Sequence, residues 1–199
     1  MLNFEFVSRA VSHMKRVFDL VLSFLLMLFF SLPMLGTALL VKLTSRGPIL
    51  YWSDRVGRNN TIFRMPKFRT MRTDTPAVAT HLLNDPDRYL TPIGNFLRKS
   101  SLDELPQLYS ILKGDMSFVG PRPALFNQDD LVELRTRNGV HLLTPGLTGW
   151  AQINGRDELP IPVKVEFDTY YLRNRSMLLD IKILFRTFFK VARREGVSH

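Results

Sequence analysis

The feature that most constrains this chain is a stretch of 22 residues without a charged side chain, Leu20 to Val41. Its length is about what an α-helix needs to cross the hydrocarbon core of a bilayer. A soluble helix that is apolar on every side would have to be entirely buried. The stretch also exceeds the roughly 7–15 apolar residues of a cleaved signal peptide. We therefore expect the segment to insert into a membrane and to stay attached.

A proline near the middle of this stretch predicts a broken helix. Pro33 lacks a backbone N–H and clashes with the carbonyl four residues back, and Ser31 can hydrogen-bond a carbonyl that the break frees. Basic residues flank both ends of the stretch: Arg9, Lys15 and Arg16 before it, and Lys42, Arg46, Arg55 and Arg58 after it. The positive-inside rule thus favours the cytoplasm for both ends. We expect a re-entrant helical hairpin in one leaflet; a single-pass helix with a tolerated kink is the alternative.

The C-terminal segment SMLLDIKILFRTFFKVARREG predicts a basic amphipathic helix. Its basic stripe consists of Lys182, Arg186, Lys190 and Arg193. Apolar residues cover the other faces: Ile181, Leu184, Phe185, Phe188 and Val191. Helices of this kind lie in the interface of an anionic membrane. A helix that packs on the core and exposes its basic face to solvent has the same pattern.

Composition restricts the chemistry and the partners. The excess of 27 Lys and Arg over 18 Asp and Glu predicts attraction to nucleic acid, an acidic membrane surface or phosphorylated substrates. Because the chain has no cysteine, a disulfide framework, a thiolate metal site and a cysteine nucleophile are excluded. It also lacks zinc-ligand spacing, a helix-turn-helix signal and an RNA-binding aromatic motif, so nucleic acid is not an expected partner.

The chain divides into an N-terminal membrane region, residues 1–44, and one cytosolic domain, residues 45–199. Within the domain, Ile49–Trp52 and Thr61–Met65 have the composition of short strands joined by a turn. Thr91 before Pro92 predicts the start of a helix. The expected fold is therefore α+β: a re-entrant helical pair, a small and mostly helical domain with short β elements, and a C-terminal interfacial helix.

Two adjacent carboxylates, Asp103 and Glu104, precede an apolar run in SSLDELPQL. Ser101 and Glu104 have the S-x-x-E spacing of a capping box; alternatively, Asp103 is the cap and Pro106 lies in the first turn. Either arrangement places both carboxylates at a helix N-terminus. Acidic residues complement the helix dipole there without any catalytic purpose, so the pair alone does not establish a site.

Basic side chains on stiff segments are the candidates for binding phosphate: Lys67, Arg69 and Arg72 in PKFRTMR, Arg98, Arg122 in GPRP, and Arg156 in NGR. Two prolines flank Arg122, so it loses little entropy when it binds a phosphate in bidentate fashion. A carboxylate pair together with rigid arginines matches what phosphoryl transfer needs: a nucleophile or metal ligand, and positive charge around the phosphate oxygens.

Several motifs in order along the chain carry a family resemblance: MKRVFDL, the broken apolar segment, KFRTMR, SLDELPQL, LKGDMSFVGPRP, PGLTGWAQINGR and the closing basic helix. Together they resemble the small monotopic phosphoglycosyl transferases, bacterial sugar transferases that start glycan assembly on polyprenol phosphate. The resemblance runs from about Met14 to Ser198. One departure is Leu32, which separates Ser31 from Pro33, whereas family members often have serine and proline adjacent.

The resemblance implies a phosphoglycosyl transferase reaction. A UDP-sugar would donate its phosphosugar to undecaprenyl phosphate with the assistance of Mg²⁺, and UMP would be released. Asp103 would be the nucleophile that forms a phosphosugar-aspartyl intermediate, and Glu104 would hold Mg²⁺ with it or orient the reactants. Arg98, Arg122 and Arg156 would relieve the repulsion between anions, with Lys67 and Asp168 as accessory residues. The enzyme would lie at the cytosolic face of the bacterial inner membrane.

Two other interpretations stay open at the level of sequence. The chain would be a membrane-tethered basic binding or scaffold protein if Asp103 proved dispensable. Alternatively, an enzyme of the same family would use a single displacement, with Asp103 as a metal ligand or base. The sequence identifies neither the sugar nor the glycan pathway, and it leaves the oligomeric state open, with a homodimer among the alternatives.

Overall fold

The computed structural model describes residues 2–76, 85–155 and 159–192 and confirms an α+β fold that is mostly helical with short strands. Its helices are α1 Leu2–Phe29, α2 Ser31–Thr44, α3 Gly94–Ser100, α4 Gln107–Lys113, α5 Asp129–Arg137, α6 Trp150–Asn154, α7 Ile161–Asn174 and α8 Met177–Ala192. Its strands are β1 Leu50–Val56, β2 Ile62–Phe68, β3 Ser117–Val119 and β4 Gly146–Thr148. Short 3-10 turns lie at Arg58–Asn60, Pro86–Tyr89, Leu102–Glu104 and Val140–Leu142.

The break predicted in the N-terminal apolar segment is present. Helices α1 and α2 meet at a bend of 62°. Pro33 lies in the first turn of α2, and the Ser31 hydroxyl donates to the Leu28 carbonyl over 2.8 Å. No single helix among the described residues is long and apolar enough to span a bilayer, whereas the bent pair His13–Phe29 and Ser31–Thr44 meets that criterion jointly.

The two strands predicted after the hairpin form an antiparallel pair, β1 with β2. Asn59 and Asn60 make the turn between them with φ values of 56° and 58°, a region that asparagine adopts more readily than most residues. Phe63 and Met65 point into the core on alternate positions of β2. The same periodicity carries Lys67, opposite Tyr51, to the edge of the cleft described below.

The main core is built from β2, α4, β3, α6, α7 and α8. Its buried members are Phe63, Met65, Leu108, Ile111, Met116, Phe118, Val119, Leu143, Ile153, Tyr171 and Ile183. Leu22, Leu26 and Met27 of α1 pack against this core, so one face of the hairpin is part of the domain. A second cluster joins Val41 of α2 to Phe68 and Leu97.

Strands β3 and β4 form a parallel pair that brings the segments GPRP and PGLTG together. The backbones approach so closely that a Cβ on Gly146 would lie 2.1 Å from the Gly120 nitrogen. Only glycine fits at this contact. It fixes the backbone from which Arg122 projects.

The helix start predicted with Thr91 as the cap is wrong by two residues, because the N-cap is Ile93, α3 begins at Gly94 and the Thr91 side chain makes no cap. The backbone N–H and the hydroxyl of Thr91 both donate to the Thr70 carbonyl instead. The first turn of α3 lies directly on this carbonyl, since a Cβ on Gly94 would approach it to 2.2 Å. The tertiary contact with Thr70 therefore overrides the local capping preference.

Candidate active site

The carboxylate pair lies on the 3-10 turn Leu102–Glu104, which runs through Leu105 and Pro106 into α4. The capping box predicted for Ser101 is not formed. Ser101 ends α3 with φ 56°, and its side chain caps no helix. Leu102 and Leu105 on either side of the pair pack against the α2 cluster. The turn is thus attached to the inner face of the helical hairpin.

Glu104 forms an ion pair with Lys67, whose Nζ lies 2.7 Å from its Oε1. Lys67 comes from β2, so the strand and the turn meet at this contact. Gln107, on the first turn of α4, is almost fully buried, and its amide nitrogen makes no hydrogen bond of normal geometry within the described part of the chain. It is nevertheless close enough to help stabilise the negative charge of Glu104.

Two of the predicted arginines lie close enough to the pair to act on it electrostatically. Arg98 of α3 interacts electrostatically with Asp103 and donates from Nε to the Thr70 hydroxyl over 3.2 Å. Arg122 interacts with Glu104 in the same way. Arg98, Lys67 and Arg122 therefore surround the two carboxylates with positive charge.

Lys67, Glu104 and Arg122 share one cleft, whose lining is completed by Arg55, Met65, Gln107, Pro123, Gly146 and Leu147. Sequence reasoning counted Arg55 only among the charges flanking the apolar segment. The structure places it on the cleft-facing side of β1, where Nε donates to the Ser53 hydroxyl and Nη1 to the Pro123 carbonyl. The sequence contained one indication of this: Arg55 stands at alternate positions with Tyr51 and Ser53, so all three lie on the same face of the strand.

Their surroundings give the two carboxyl groups different pKa values. Burial raises the pKa of Asp103 to about 6, against the opposing effect of Lys67 and with a further increase from Glu104. For Glu104, burial acts in the same direction, but Lys67 and Arg122 outweigh it and hold the pKa well below the usual range. Glu104 therefore carries a fixed charge, while Asp103 is the more basic carboxylate and is ionised above about pH 6.

The structure does not bring Asp168 into the cleft. Its side chain is buried between α5 and α7, where Arg135 donates to one carboxylate oxygen from Nε (3.0 Å) and Nη2 (2.7 Å). Arg135 also donates from Nη1 to the Arg122 carbonyl over 2.8 Å. Through Arg135, Asp168 thus supports the backbone carbonyl of Arg122.

The remaining basic candidates lie elsewhere. Arg69 is buried and donates to the carbonyls of Ser45, Arg46 and Pro48, which ties the end of α2 to β2. Arg72 pairs with Asp74 on the surface. Arg156 lies outside the described residues.

Comparison with known proteins supplies the family. The bacterial sugar transferase family matches residues 10–194. An uncharacterized sugar transferase of Bacillus subtilis, EpsL, is 43% identical over 93% of this chain and 90% of its own length. The undecaprenyl-phosphate galactose phosphotransferase of Salmonella typhimurium is 39% identical over 94% of this chain. The UDP-glucose:undecaprenyl-phosphate glucose-1-phosphate transferase of Escherichia coli is 42% identical over 89% of it.

These relatives differ in length. The matched region is 42% of the Salmonella protein and 40% of the Escherichia coli protein, so the chain spans less than half of either. It corresponds to nearly all of EpsL. With the family match extending over almost the whole sequence and the motifs forming one cleft, the chain belongs to the bacterial sugar transferase family.

Proposed function

We propose that this protein transfers a sugar 1-phosphate from a UDP-sugar to undecaprenyl phosphate, a membrane step of bacterial glycan assembly. The observation that carries the proposal is the arrangement of charges beside the cleft. A basic carboxylate, Asp103, adjoins an ionised one, Glu104; Lys67 and Arg98 act electrostatically on Asp103, and Lys67 and Arg122, which line the cleft with Glu104, act on Glu104. The relatives named above as undecaprenyl-phosphate sugar phosphotransferases support the acceptor and the reaction class.

The reaction proceeds in two displacements at one phosphorus atom. An Asp103 carboxylate oxygen attacks the sugar-bearing phosphorus of the donor, the bond from that phosphorus to the bridging oxygen breaks, and UMP leaves with the bond's electron pair. A phosphate oxygen of undecaprenyl phosphate then attacks the same phosphorus and releases the Asp103 carboxylate. The product is undecaprenyl diphosphate-sugar.

The basic residues make attack by an anion on an anion feasible. Lys67, Arg98 and Arg122 place positive charge around the dyad, where it lowers the electrostatic barrier to approach of the diphosphate. Arg55 of β1, which also lines the cleft, adds a fourth cation. Lys67 and Arg122 stabilise the charge of Glu104, and that charge in turn raises the pKa of Asp103 and makes it the more basic of the two carboxylates.

The donor set of the dyad also fits Mg²⁺. No group of three His, Asp or Glu side chains suited to a metal occurs among the described residues. Mg²⁺, however, is commonly held by one or two carboxylates, with water and substrate phosphates completing its shell. Asp103 and Glu104 would supply those carboxylates. When bound, the ion would neutralise charge on the donor phosphates.

The exposed apolar surface supports attachment to a membrane. The hairpin exposes a set of large apolar side chains: Val17, Val21, Phe24, Leu25, Leu28, Phe29, Leu32, Leu35, Leu39, Leu40 and Leu43. Helix α8 exposes a second set: Leu178, Ile181, Phe185, Phe188 and Phe189. Monomeric soluble proteins rarely expose so much contiguous apolar surface.

We infer a monotopic arrangement on the cytosolic face of the inner membrane. The hairpin enters one leaflet and returns, with the bend at Ser31 and Pro33 at its deepest point. Helix α8 lies in the interface, where the exposed cations Lys182 and Arg186 face anionic headgroups. This arrangement leaves the cleft accessible to a soluble nucleotide sugar and to the phosphate of a membrane lipid.

The test is UMP release by the protein in nanodiscs with undecaprenyl phosphate, Mg²⁺ and a panel of UDP-sugars. We expect sustained release from one donor that requires the lipid and falls by at least about a thousandfold in Asp103→Asn, because the nucleophile is lost. Asp74→Asn, an exposed carboxylate in a surface ion pair, is the matched control and should retain wild-type activity. Sustained release that survives Asp103→Asn would overturn the assignment of the nucleophile.

A further inference from the structure

Three charged side chains of α1 in the motif MKRVFDL form hydrogen bonds with other elements of the protein. Arg16 donates from Nη1 to the Ile111 carbonyl over 2.6 Å and from Nη2 to the Leu112 carbonyl over 2.7 Å. These carbonyls belong to the last turn of α4, where the helix dipole favours a cation. Although sequence reasoning counted Arg16 among the charges flanking the apolar segment, its guanidinium caps a helix of the catalytic domain.

The end of α4 is shaped to receive this guanidinium. Gly114 terminates the helix with φ 103°, a conformation that favours glycine, and its N–H donates to the Ser110 and Ile111 carbonyls. A Cβ at Gly114 would lie 3.3 Å from Arg16 Nη2. A side chain there would crowd the guanidinium in addition to straining the backbone.

Asp19 lies one turn after Arg16 and contacts β3. Its carboxylate is buried and accepts a hydrogen bond of 3.1 Å from the Phe118 backbone N–H. Lys15 binds Asp180 of α8 at 2.6 Å, and the Tyr171 hydroxyl donates to the other oxygen of Asp180 over 2.7 Å. We call Lys15, Arg16 and Asp19 the α1 polar cluster.

The elements that this cluster holds are those that carry the candidate active site. Helix α4 begins three residues after Glu104, and seven helical residues extend about 10 Å, so the two ends of α4 move together. Strand β3 leads through Gly120 and Pro121 to Arg122. One face of the hairpin therefore contacts the supports of both halves of the cleft.

We propose that Arg16 and Asp19 are positioning residues. By holding α4 and β3 against the helical hairpin, they fix the height of the catalytic dyad and Arg122 above the membrane surface. The proposal rests on the proposed function, since the height matters because the acceptor is a lipid phosphate held at the membrane surface. The soluble donor can reach the cleft at any height. Loss of the cluster therefore impairs the lipid-dependent step selectively.

The experiment compares Arg16→Met, Arg16→Lys and Asp19→Asn with wild type in nanodiscs. The matched control is Arg137→Met, which removes an exposed arginine from an ion pair within helix α5. Two rates are measured: the single-turnover burst of UMP without lipid, which reports attack by Asp103, and the lipid-dependent turnover as kcat/KM for undecaprenyl phosphate. Thermal unfolding identifies any variant that fails to fold.

A structural readout independent of activity uses the absence of cysteine in the chain. Nitroxide labels at Leu35→Cys in α2 and Lys99→Cys in α3, both exposed positions, report the distance between the hairpin and the helix that leads into the Asp103–Glu104 turn. We expect a narrow distribution in the otherwise wild-type protein and a broadened or shifted one with Arg16→Met. The distance measurement applies even if the wild-type protein releases no UMP, a result that would overturn the proposed function alone.

For Arg16→Met we expect kcat/KM for the lipid to fall by at least about tenfold while the donor burst stays within about twofold, because a displacement of about 1 Å is enough to slow a positioned step. Arg16→Lys should be intermediate and Arg137→Met unchanged. If Arg16→Met does not fold, Arg16→Lys and Asp19→Asn decide the question. Equal loss of both rates, or unchanged rates with an unchanged distance distribution, would overturn the proposal.

Discussion

Asp103 and Glu104 differ by their surroundings more than by their chemistry. Both are carboxylates on one turn, yet burial raises the pKa of Asp103 while Lys67 and Arg122 keep that of Glu104 low. Two neighbouring acids with divergent pKa values are a common sign of divided roles at an active site. At neutral pH the arrangement makes Asp103, the proposed nucleophile, an ionised carboxylate that is more basic than an ordinary one.

The pH dependence of the donor half-reaction follows from this difference. Because Asp103 must be ionised to attack, the burst of UMP without lipid should rise about tenfold per pH unit below about pH 6 and level off above it. Omitting the lipid is essential, since the second pKa of a phosphate monoester also lies near 6. In Glu104→Gln the midpoint should move to lower pH, because the Glu104 charge raises the pKa of Asp103. A burst rate that is constant from pH 5 to 8 would contradict this account.

The same pKa predicts a stability cost at the candidate nucleophile. The pKa of Asp103 is raised on folding from its ordinary 3.8, so the carboxyl group favours the folded state at low pH, and this contribution is lost as pH rises from about 4 to about 6. Asp103→Asn cannot ionise and should be more stable than wild type at pH 7.5, by on the order of 2 kcal/mol, with little difference at pH 4. Urea unfolding at both pH values measures it. An Asp103→Asn protein less stable than wild type at pH 7.5 would show that ionised Asp103 contributes net stabilisation.

The Arg135–Asp168 pair behind Arg122 provides a test of buried charge. Burial raises the pKa of Asp168 despite the attraction of Arg135, so the pair offsets its own desolvation without a large surplus. Asp168→Asn leaves Arg135 buried without its partner and should cost about 3 kcal/mol, whereas Arg135→Met with Asp168→Leu should cost much less. Glu133→Gln, which breaks an exposed pair, should stay within about 0.5 kcal/mol. Chemical denaturation would contradict this if the double variant proved no more stable than Asp168→Asn.

At the level of elements, the helical hairpin combines two functions in one segment. Its outer surface is apolar and exposed, while its inner face joins the cores of the domain through Leu22, Leu26 and Val41. The bend at Ser31 and Pro33 allows both helices to remain in contact with the same domain. A straight helix would carry one half away from it.

The proposed re-entrant arrangement predicts from which side of the membrane each end of the hairpin is accessible. In sealed membranes, Met14→Cys and Lys42→Cys should both react with an impermeant maleimide from the cytosolic side alone, because each lies near an end of the bent pair. Leu35→Cys, beyond the bend, should react from neither side. Labelling of Met14→Cys and Lys42→Cys from opposite sides would establish the single-pass alternative.

For the molecule as a whole, the sequence was sufficient where local pattern and chemistry agree. The bend at Ser31 and Pro33, the β1–β2 pair and the grouping of Lys67, Glu104 and Arg122 all follow motifs that the chain presents in order. What the sequence missed depends on tertiary contact. Thr91 binds Thr70 and so makes no cap for α3. Ser101 lies at the C-terminal end of α3, whereas its local pattern predicts the start of the next helix.

Charged residues were the hardest to assign, because their partners are distant in sequence. Asp168 meets Arg135, 33 residues away, and Arg16 meets the end of α4, 95 residues away. Nothing in the local pattern of either segment indicates those contacts. Arg55 reaches the cleft because β1 pairs with β2 in one particular register, which single-sequence reasoning does not fix.

The covalent step is the central claim, and its most direct test is to trap the intermediate. The protein is incubated with a UDP-sugar labelled in the sugar, without lipid, then quenched and mapped by mass spectrometry. We predict a phosphosugar on Asp103 that forms together with stoichiometric UMP, disappears when undecaprenyl phosphate is added, and is absent in Asp103→Asn. Full lipid-dependent turnover with no labelled protein and no UMP burst would contradict the account and establish a single displacement.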